Sequence, residues 1–140
     1  MKMRPFLIAL ALIGVVYGVS IEASMIPQHR VLTTKSGVPG YFFRSPNVPL
    51  FQVELVFEGG ADWDPLGKSG LALFSAAMPR RGMFSLDENQ ISKKVDDWAA
   101  GIDFDASEEN FSVSIYGLND KAGEILDLAF GLLSKPSFPE

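Results

Sequence analysis

The stretch that decides the fold runs from Asp62 to Met83 and reads D-W-D-P-L-G-K-S-G-L-A-L-F-S-A-A-M-P-R-R-G-M. Pro65 and Gly67 predict a turn near its start. The apolar run over residues 70–78 predicts a short helix, and it is so uniformly apolar that we expect the helix to be covered by other parts of the protein. Everything else in the chain is interpreted around this helix.

Both ends of the helix carry local signals. Ser69 stands immediately before the apolar run, where its hydroxyl could accept a hydrogen bond from a free backbone N–H, so it is the expected N-cap. Pro79 has no N–H for the carbonyl four residues earlier, so the helix should end or kink there.

The same stretch resembles the motif helix of the insulinase/pitrilysin-type zinc metallopeptidases. In that family a Gly-Leu-Ala run opens the helix that carries the inverted zinc motif H-x-x-E-H. The matching residues here are Gly70, Leu71, Ala72, Met78 and Gly82. The motif itself is replaced: the positions of its histidine, glutamate and histidine hold Leu73, Ala76 and Ala77.

These replacements remove the chemistry of the motif. Positions 73 and 77 share one helix face, which is why two histidines there could bind one zinc ion beside a glutamate that activates water. Leu73 and Ala77 offer no lone pair, and Ala76 offers no carboxylate. His29 is the only histidine in the sequence, and there is no cysteine. We therefore expect no catalytic residue, no metal ligand and no cofactor in this sequence. The family resemblance implies that zinc is bound by a partner subunit.

Composition excludes several other classes of protein. The 140 residues include 12 basic and 17 acidic side chains, a formal net charge of −5, and no basic cluster that could follow a phosphate backbone. Without cysteine there is neither a disulfide framework nor a thiol nucleophile. The length suits one domain, although family members are several times longer, so residues 24–140 are interpreted as the incomplete N-terminal part of an insulinase-like domain.

The N-terminal residues resemble a signal peptide, predicted over residues 1–23. Lys2 and Arg4 precede an apolar segment over residues 6–16 that is short for a membrane span. Cleavage could follow Ser20 or Ala23, and an uncleaved membrane anchor is the alternative. The expected location is the periplasm or the secreted fraction.

Beyond these stretches, alternating and helical patterns predict an α+β domain. Strands are expected over residues 30–34, 41–44, 51–58, 102–107 and 111–116. A helix capped by Ser85 and Glu88 should bury Ile91, Val95 and Trp98 and end at Gly101. A last helix, capped by Asn119 or Asp120, should stop at Pro136. The predicted fold is a two-layer sandwich, with helices on one face of a mostly antiparallel sheet.

Two other kinds of site were considered. The acidic pairs Asp62 with Asp64 and Asp103 with Asp105 could ligate a metal or act in acid/base catalysis, but Asp-x-Asp in turns is usually solvated or caps a helix. A Ser-His-Asp triad would have to use His29, which has no nucleophile motif near it.

The order of elements extends the resemblance over residues 30–139 and implies a LuxS/MPP-like metallopeptidase fold. It also implies a catalytically degenerate subunit that is not expected to be an enzyme by itself. The resemblance further implies that this subunit assembles with an active zinc-bearing paralogue and supports the binding and degradation of peptides. The alternative is a stand-alone periplasmic scaffold or binding domain with no role in proteolysis. An active peptidase would need ligands from residues beyond Glu140.

Overall fold

The computed structural model describes residues 29–83 and 85–137. The chain divides into two compact units, Met1–Ser45 and Pro46–Glu140, called here the hairpin unit and the main unit. The predicted signal peptide at residues 1–23 lies outside the described residues. None of the helices in the described part of the chain is long and apolar enough to cross a membrane.

The hairpin unit contains two antiparallel strands, β1 (His29–Thr33) and β2 (Pro39–Phe43). Between them, the N–H of Thr34 donates to the carbonyl of Val38, and Gly37 adopts a φ of 88° that suits glycine. The ring of His29 lies 5.7 Å from that of Tyr41 and 5.4 Å from that of Phe43. The strand pair expected from the sequence is therefore present.

A three-stranded antiparallel sheet forms the centre of the main unit. Its strands, in spatial order, are β3 (Leu50–Glu58), β7 (Asn110–Leu118) and β6 (Gly101–Ala106). The register places Val53, Ile115 and Ile102 side by side across the three strands. The alternating residues of the sequence thus fall on two distinct faces, as their period of two requires.

Three α-helices accompany this sheet within the described residues: α1 (Leu71–Ala77), α2 (Glu88–Asp97) and α3 (Ala122–Ser134). A short hairpin, β4 (Gly82–Met83) with β5 (Leu86–Asp87), lies between α1 and α2. Turns of 3-10 helix cover Ala61–Trp63, Pro79–Arg81 and Asn119–Lys121. Helix α1 ends just before Pro79, as predicted.

The core lies between one face of the sheet and helices α2 and α3. Val113 and Ile115 from β7 and Ile125 and Leu132 from α3 are fully buried, and each contributes roughly 1.5–3 kcal/mol to the stability of the fold. Gly117 lets Ile125 of α3 pack closely on β7, because a Cβ at position 117 would lie 2.6 Å from the Cδ1 of Ile125. The predicted α+β architecture, with helices packed on an antiparallel sheet, is confirmed.

The start of α2 differs from the prediction. Ser85 and Glu88 do not form the capping box; Asp87 and Gln90 do. The Asp87 carboxylate accepts from the N–H of Gln90 at 2.9 Å, and the Gln90 amide oxygen accepts from the N–H of Asp87 at 3.0 Å. Because Leu86 pairs with Met83 in the β4–β5 hairpin, the chain is extended there and the helix begins two residues later than a local pattern suggests.

The end of α2 and the start of α3 also differ. Ala99, with a φ of 47°, takes the left-handed position after α2, and the N–H of Ala100 donates to the carbonyl of Val95. Gly101 instead opens β6, where a Cβ would collide with the ring of Tyr116. Neither Asn119 nor Asp120 caps α3, because both lie in the 3-10 turn that precedes it.

Candidate functional site

The three replaced motif positions lie on α1 but in unlike surroundings. Leu73 is 60% exposed and Ala77 is also exposed, whereas Ala76 is 2% exposed and is the buried residue of this helix. Helix α1 packs against β6. The position of the catalytic glutamate is therefore closed into the packed side of the helix, while the two histidine positions face outward.

The expectation that other parts of the protein cover α1 is wrong, because within the described residues much of this helix is exposed. Leu71, Leu73 and Phe74 are 44%, 60% and 65% exposed. A helix of seven residues has room for only one packed side, and Ala76 occupies it. The result is an exposed apolar surface formed by Leu71, Leu73 and Phe74, called here the α1 surface.

Asp64, not Ser69, caps α1. One carboxylate oxygen of Asp64 accepts from the N–H of Gly70 at 2.6 Å and from that of Leu71 at 3.1 Å, and the other accepts from Ala72 at 2.9 Å. Three backbone donors at the start of the helix are thus satisfied by one negative charge. The sequence left open whether an Asp-x-Asp pair is solvated or caps a helix, and Asp64 does the latter, while the residue at the N-cap position is Gly70.

Replacing Asp64 with alanine should lower the free energy of unfolding by about 1–2 kcal/mol, because the three N–H groups lose their acceptor. Asp62→Ala is the matched control, since its carboxylate makes no hydrogen bond or ion pair within the described residues. Urea denaturation followed by circular dichroism measures both. Equal losses in the two variants would show that the cap is not what holds α1.

A second connection holds the segment before α1 to the sheet. The N–H groups of Gly59, Ala61 and Asp62 donate to the carbonyls of Glu109, Ser107 and Glu108 in the turn between β6 and β7, at 3.1, 2.9 and 2.9 Å. Gly60 makes this contact close, because a Cβ there would lie 2.5 Å from the carbonyl oxygen of Glu108. These bonds fix where the chain leaves the sheet and enters α1.

Two adjoining clefts open at the C-terminal end of α1. One, of about 360 Å³, lies between α1, α2 and β6, and the other, of about 370 Å³, includes Phe74 and Met78. Ala77, Arg81 and Glu88 line both. A guanidinium nitrogen of Arg81 lies 3.0 Å from a carboxylate oxygen of Glu88, so the charges here are paired. The lining mixes apolar side chains with charged and polar ones, and a mixed surface of this kind suits contact with another chain.

The residues at this site do not fit a zinc ion. Leu73, Ala76 and Ala77 supply no ligand atom, and within residues 29–83 and 85–137 no three side chains of histidine, cysteine, aspartate or glutamate lie close enough to hold a metal. No step of peptide hydrolysis can therefore be assigned to these positions. His29, the sole imidazole of the sequence, belongs to the hairpin unit.

Two surface groups have shifted pKa values, and both are explained by local contacts. A hydrogen bond from the Lys93 ammonium to Asp97 raises the pKa of Lys93. A hydrogen bond from its own backbone N–H, followed by one from Lys121, lowers the pKa of Glu124. Both side chains lie on exposed helix surfaces away from α1, where such pairs act on helix stability.

Comparison with known proteins was made by sequence and by structure. No protein-family model and no curated protein matches the sequence. A solved structure from Pseudomonas fluorescens, described as a peptidase M16 inactive domain, is similar with a TM-score of 0.74 and 25% identity, over 80% of this chain and 27% of that one. The chain has the fold of an insulinase-type (M16) peptidase domain.

A second solved structure supports the fold alone. It is a protease from Helicobacter pylori, with a TM-score of 0.70 and 17% identity, over 82% of this chain and 28% of that one. The resemblance to the insulinase/pitrilysin family is thus confirmed. The chain spans about a quarter of the length of these two structures.

The position of β6 at an edge of the sheet is not predicted by the sequence. In the part of the chain that the structure describes, β6 pairs with β7 alone, so its second edge has no strand partner. Asp103 and Asp105, one of the two acidic pairs found in the sequence, are exposed on this edge strand. The alternation in Ile102-Asp103-Phe104-Asp105-Ala106 signals a strand, but strand order depends on the whole fold.

Proposed function

We propose that this chain is part of a catalytically degenerate peptidase subunit that assembles with a zinc-bearing paralogue and supports peptide binding. The single observation that carries the proposal is the replacement of all three motif positions, by Leu73, Ala76 and Ala77, within an M16-like fold. A subunit of this kind contributes surface to a complex, while water activation takes place on the paralogue that has the metal.

The exposed apolar side chains of α1 support a role in binding another protein chain. Exposed apolar side chains of the size of Leu73 and Phe74 are typical of surfaces that meet another chain. A histidine pair at positions 73 and 77 would make this surface polar, and the replacements instead continue the apolar surface towards the cleft lined by Phe74, Ala77 and Met78.

The unpaired edge of β6 supports peptide binding. A sheet edge presents backbone N–H and C=O groups that an extended peptide can pair with, and main-chain pairing of this kind accepts many sequences. Strand β6 lies against α1, so a peptide on this edge would run close to the replaced motif.

The proposal also covers the cellular location of this protein and the subunit that binds zinc. The signal-like residues 1–23 favour export to the periplasm or secretion, where a fold without cysteine is independent of disulfide formation. Zinc belongs to the partner subunit, since none of the three motif positions here offers a ligand.

Co-purification of the full-length protein from its native envelope fraction tests the proposal. We expect a companion with an intact H-x-x-E-H motif, zinc in the complex but not in the separated degenerate subunit, and peptidase activity that falls when this subunit is removed. Replacing the companion's motif glutamate with glutamine should abolish the activity, whereas Leu73→Ala in this chain should leave zinc content unchanged.

A protein that purifies alone, without zinc or activity, would overturn the proposal and leave the stand-alone scaffold. Stoichiometric zinc on this chain that is lost on changing Leu73 or Ala77 would overturn it as well, because the site would then be a metal site.

A further inference from the structure

The start of β7 contains a short sequence motif with a known chemistry. Residues 110–112 read N-F-S, the Asn-x-Ser pattern that accepts an N-linked glycan when x is not proline. The other asparagines, Asn47, Asn89 and Asn119, are followed two residues later by proline, isoleucine and lysine, so none of them fits the pattern. Because a pattern this short also arises by chance, the surroundings of Asn110 decide whether it suits the role.

The side chain of Asn110 is exposed, and the turn before β7 does not use it. The backbone N–H of Asn110 donates to the Ser107 hydroxyl at 3.1 Å, and its carbonyl accepts from the N–H of Ser107 at 2.8 Å. The side-chain amide makes no hydrogen bond within residues 29–83 and 85–137. A substituent on the amide nitrogen would therefore break no bond that shapes the turn.

The face of β7 on which Asn110 lies has room for a bulky group. Val113, three residues further on, is fully buried between the sheet and the helices, so Asn110 lies on the opposite face. Its partner across the strand pair is Glu58, which is also exposed. A glycan on Asn110 would leave the sheet on the side away from the core, where no buried side chain has to move.

We propose that Asn110 is the acceptor of an N-linked glycan, added while the chain is exported. The donor is an oligosaccharide joined through a diphosphate to a membrane lipid, and an oligosaccharyl transferase catalyses the step. The amide nitrogen of Asn110 forms a bond to the anomeric carbon of the sugar as the bond from that carbon to the diphosphate breaks. The lipid diphosphate leaves, and the amide gives up one proton to a base of the transferase.

The inference goes beyond the proposed function. It shares with that function only the export expected from the signal-like residues 1–23. Neither a zinc-bearing paralogue nor a bound peptide is needed for the transfer.

The position of β7 in the sheet sets when the transfer takes place. Phe111 and Ser112 lie in the central strand and pair with both β3 and β6. A transferase has to bind these two residues to hold the acceptor, so the transfer precedes the pairing of the strands. Asn110 stays exposed after folding, which lets the finished fold accommodate the glycan.

An acidic side chain belongs to the same acceptor segment. In an extended chain, residues two apart point to the same side, so Glu108, Asn110 and Ser112 face one way and Glu109 faces the other. The carboxylate of Glu108 is exposed and makes no hydrogen bond or ion pair within the described residues. A transferase that holds the asparagine and the serine therefore also meets this carboxylate, which a basic side chain can bind.

Mass spectrometry of the full-length protein, purified from its native envelope or secreted fraction, tests the inference. Trypsin leaves Asn110 in a peptide of residues 95–121. We expect that peptide to carry sugar residues on Asn110, located by electron-transfer fragmentation, in the exported protein but not in protein retained in the cytoplasm. An unmodified Asn110 in the exported protein, or a glycan only on another residue, overturns the inference.

Variants of the full-length chain, exported in cells that contain the transferase and the donor, isolate the motif. Asn110→Gln and Ser112→Ala should each abolish the glycan, whereas Ser112→Thr should keep it because threonine retains the hydroxyl. Asn119→Gln removes an exposed amide outside the motif and should have no effect. Glu108→Gln should lower the glycosylated fraction by roughly 3-fold, and Glu109→Gln, the same change of charge one residue later, should leave it nearly unchanged.

Each of these variants gives a decisive result even if it folds poorly, because the transfer precedes folding. A glycan retained in Asn110→Gln, or equal modification of Ser112→Ala and Ser112→Thr, overturns the inference. Equal effects of Glu108→Gln and Glu109→Gln overturn the part assigned to Glu108. A glycan on a protein that purifies without a zinc-bearing companion would contradict only the proposed assembly, so the two failures are distinguishable.

Discussion

Restoring the acidic residue of the inverted zinc motif, by Ala76→Glu, is expected to destabilise the main unit by roughly 2–6 kcal/mol. The side chain of Ala76 is 2% exposed, so a glutamate there must displace packed atoms and bring a carboxylate out of water. Overpacking a core site costs about 1–3 kcal/mol, and an unsatisfied buried polar group costs about 1–3 kcal/mol more. Urea unfolding followed by circular dichroism at neutral pH measures the loss.

The two histidine positions provide matched controls. Leu73→His and Ala77→His change exposed side chains of the same helix, so each should alter the free energy of unfolding by less than about 0.5 kcal/mol. Ala76→Gln has nearly the volume of the glutamate without its charge, and the difference between the two variants isolates the cost of the carboxylate. If Ala76→Glu is as stable as the histidine variants, a side chain at position 76 can reach solvent, and the burial of this position is contradicted.

Gly60→Ala is the second substitution with a large expected effect, a loss of roughly 2–4 kcal/mol. Gly60 adopts a φ of 154°, and an added Cβ would lie 2.5 Å and 2.6 Å from the carbonyl oxygens of Glu108 and Ser107. These are backbone atoms that cannot turn aside, so the turn must move and the bonds that it accepts from Ala61 and Asp62 weaken.

Gly59→Ala is a control that separates the effect of backbone strain from the effect of a collision with the Cβ. Gly59 also has a positive φ, of 140°, but an added Cβ there would meet no atom within 4 Å. We expect it to lose only the strain component, of order 1 kcal/mol. Thermal unfolding of both variants gives the comparison. Because the segment leads into α1, Gly60→Ala should also increase hydrogen exchange in that helix, and unchanged exchange would contradict the proposed connection.

Several features follow from the amino-acid sequence without the structure, and each of them is local. Alternation in Phe51–Glu58 and Phe111–Tyr116 predicted two strands of the sheet, and Pro79 predicted the end of α1. The loss of the zinc motif is visible at Leu73, Ala76 and Ala77 without any structure, because a ligand atom is a property of the residue type. The order of elements carried the resemblance to the M16 family, which the structural match confirms.

Which residues cap the helices and which are buried depends on the folded arrangement of the chain. Ser69 and Ser85 are good capping residues by type, but Asp64 reaches α1 from across a turn, and the β4–β5 hairpin moves the start of α2 to Asp87. The burial of Ala76 and the position of β6 at the edge of the sheet are also visible only in the folded protein. Caps, burial and strand order depend on what lies nearby in space, and sequence periods report only the geometry of one element at a time.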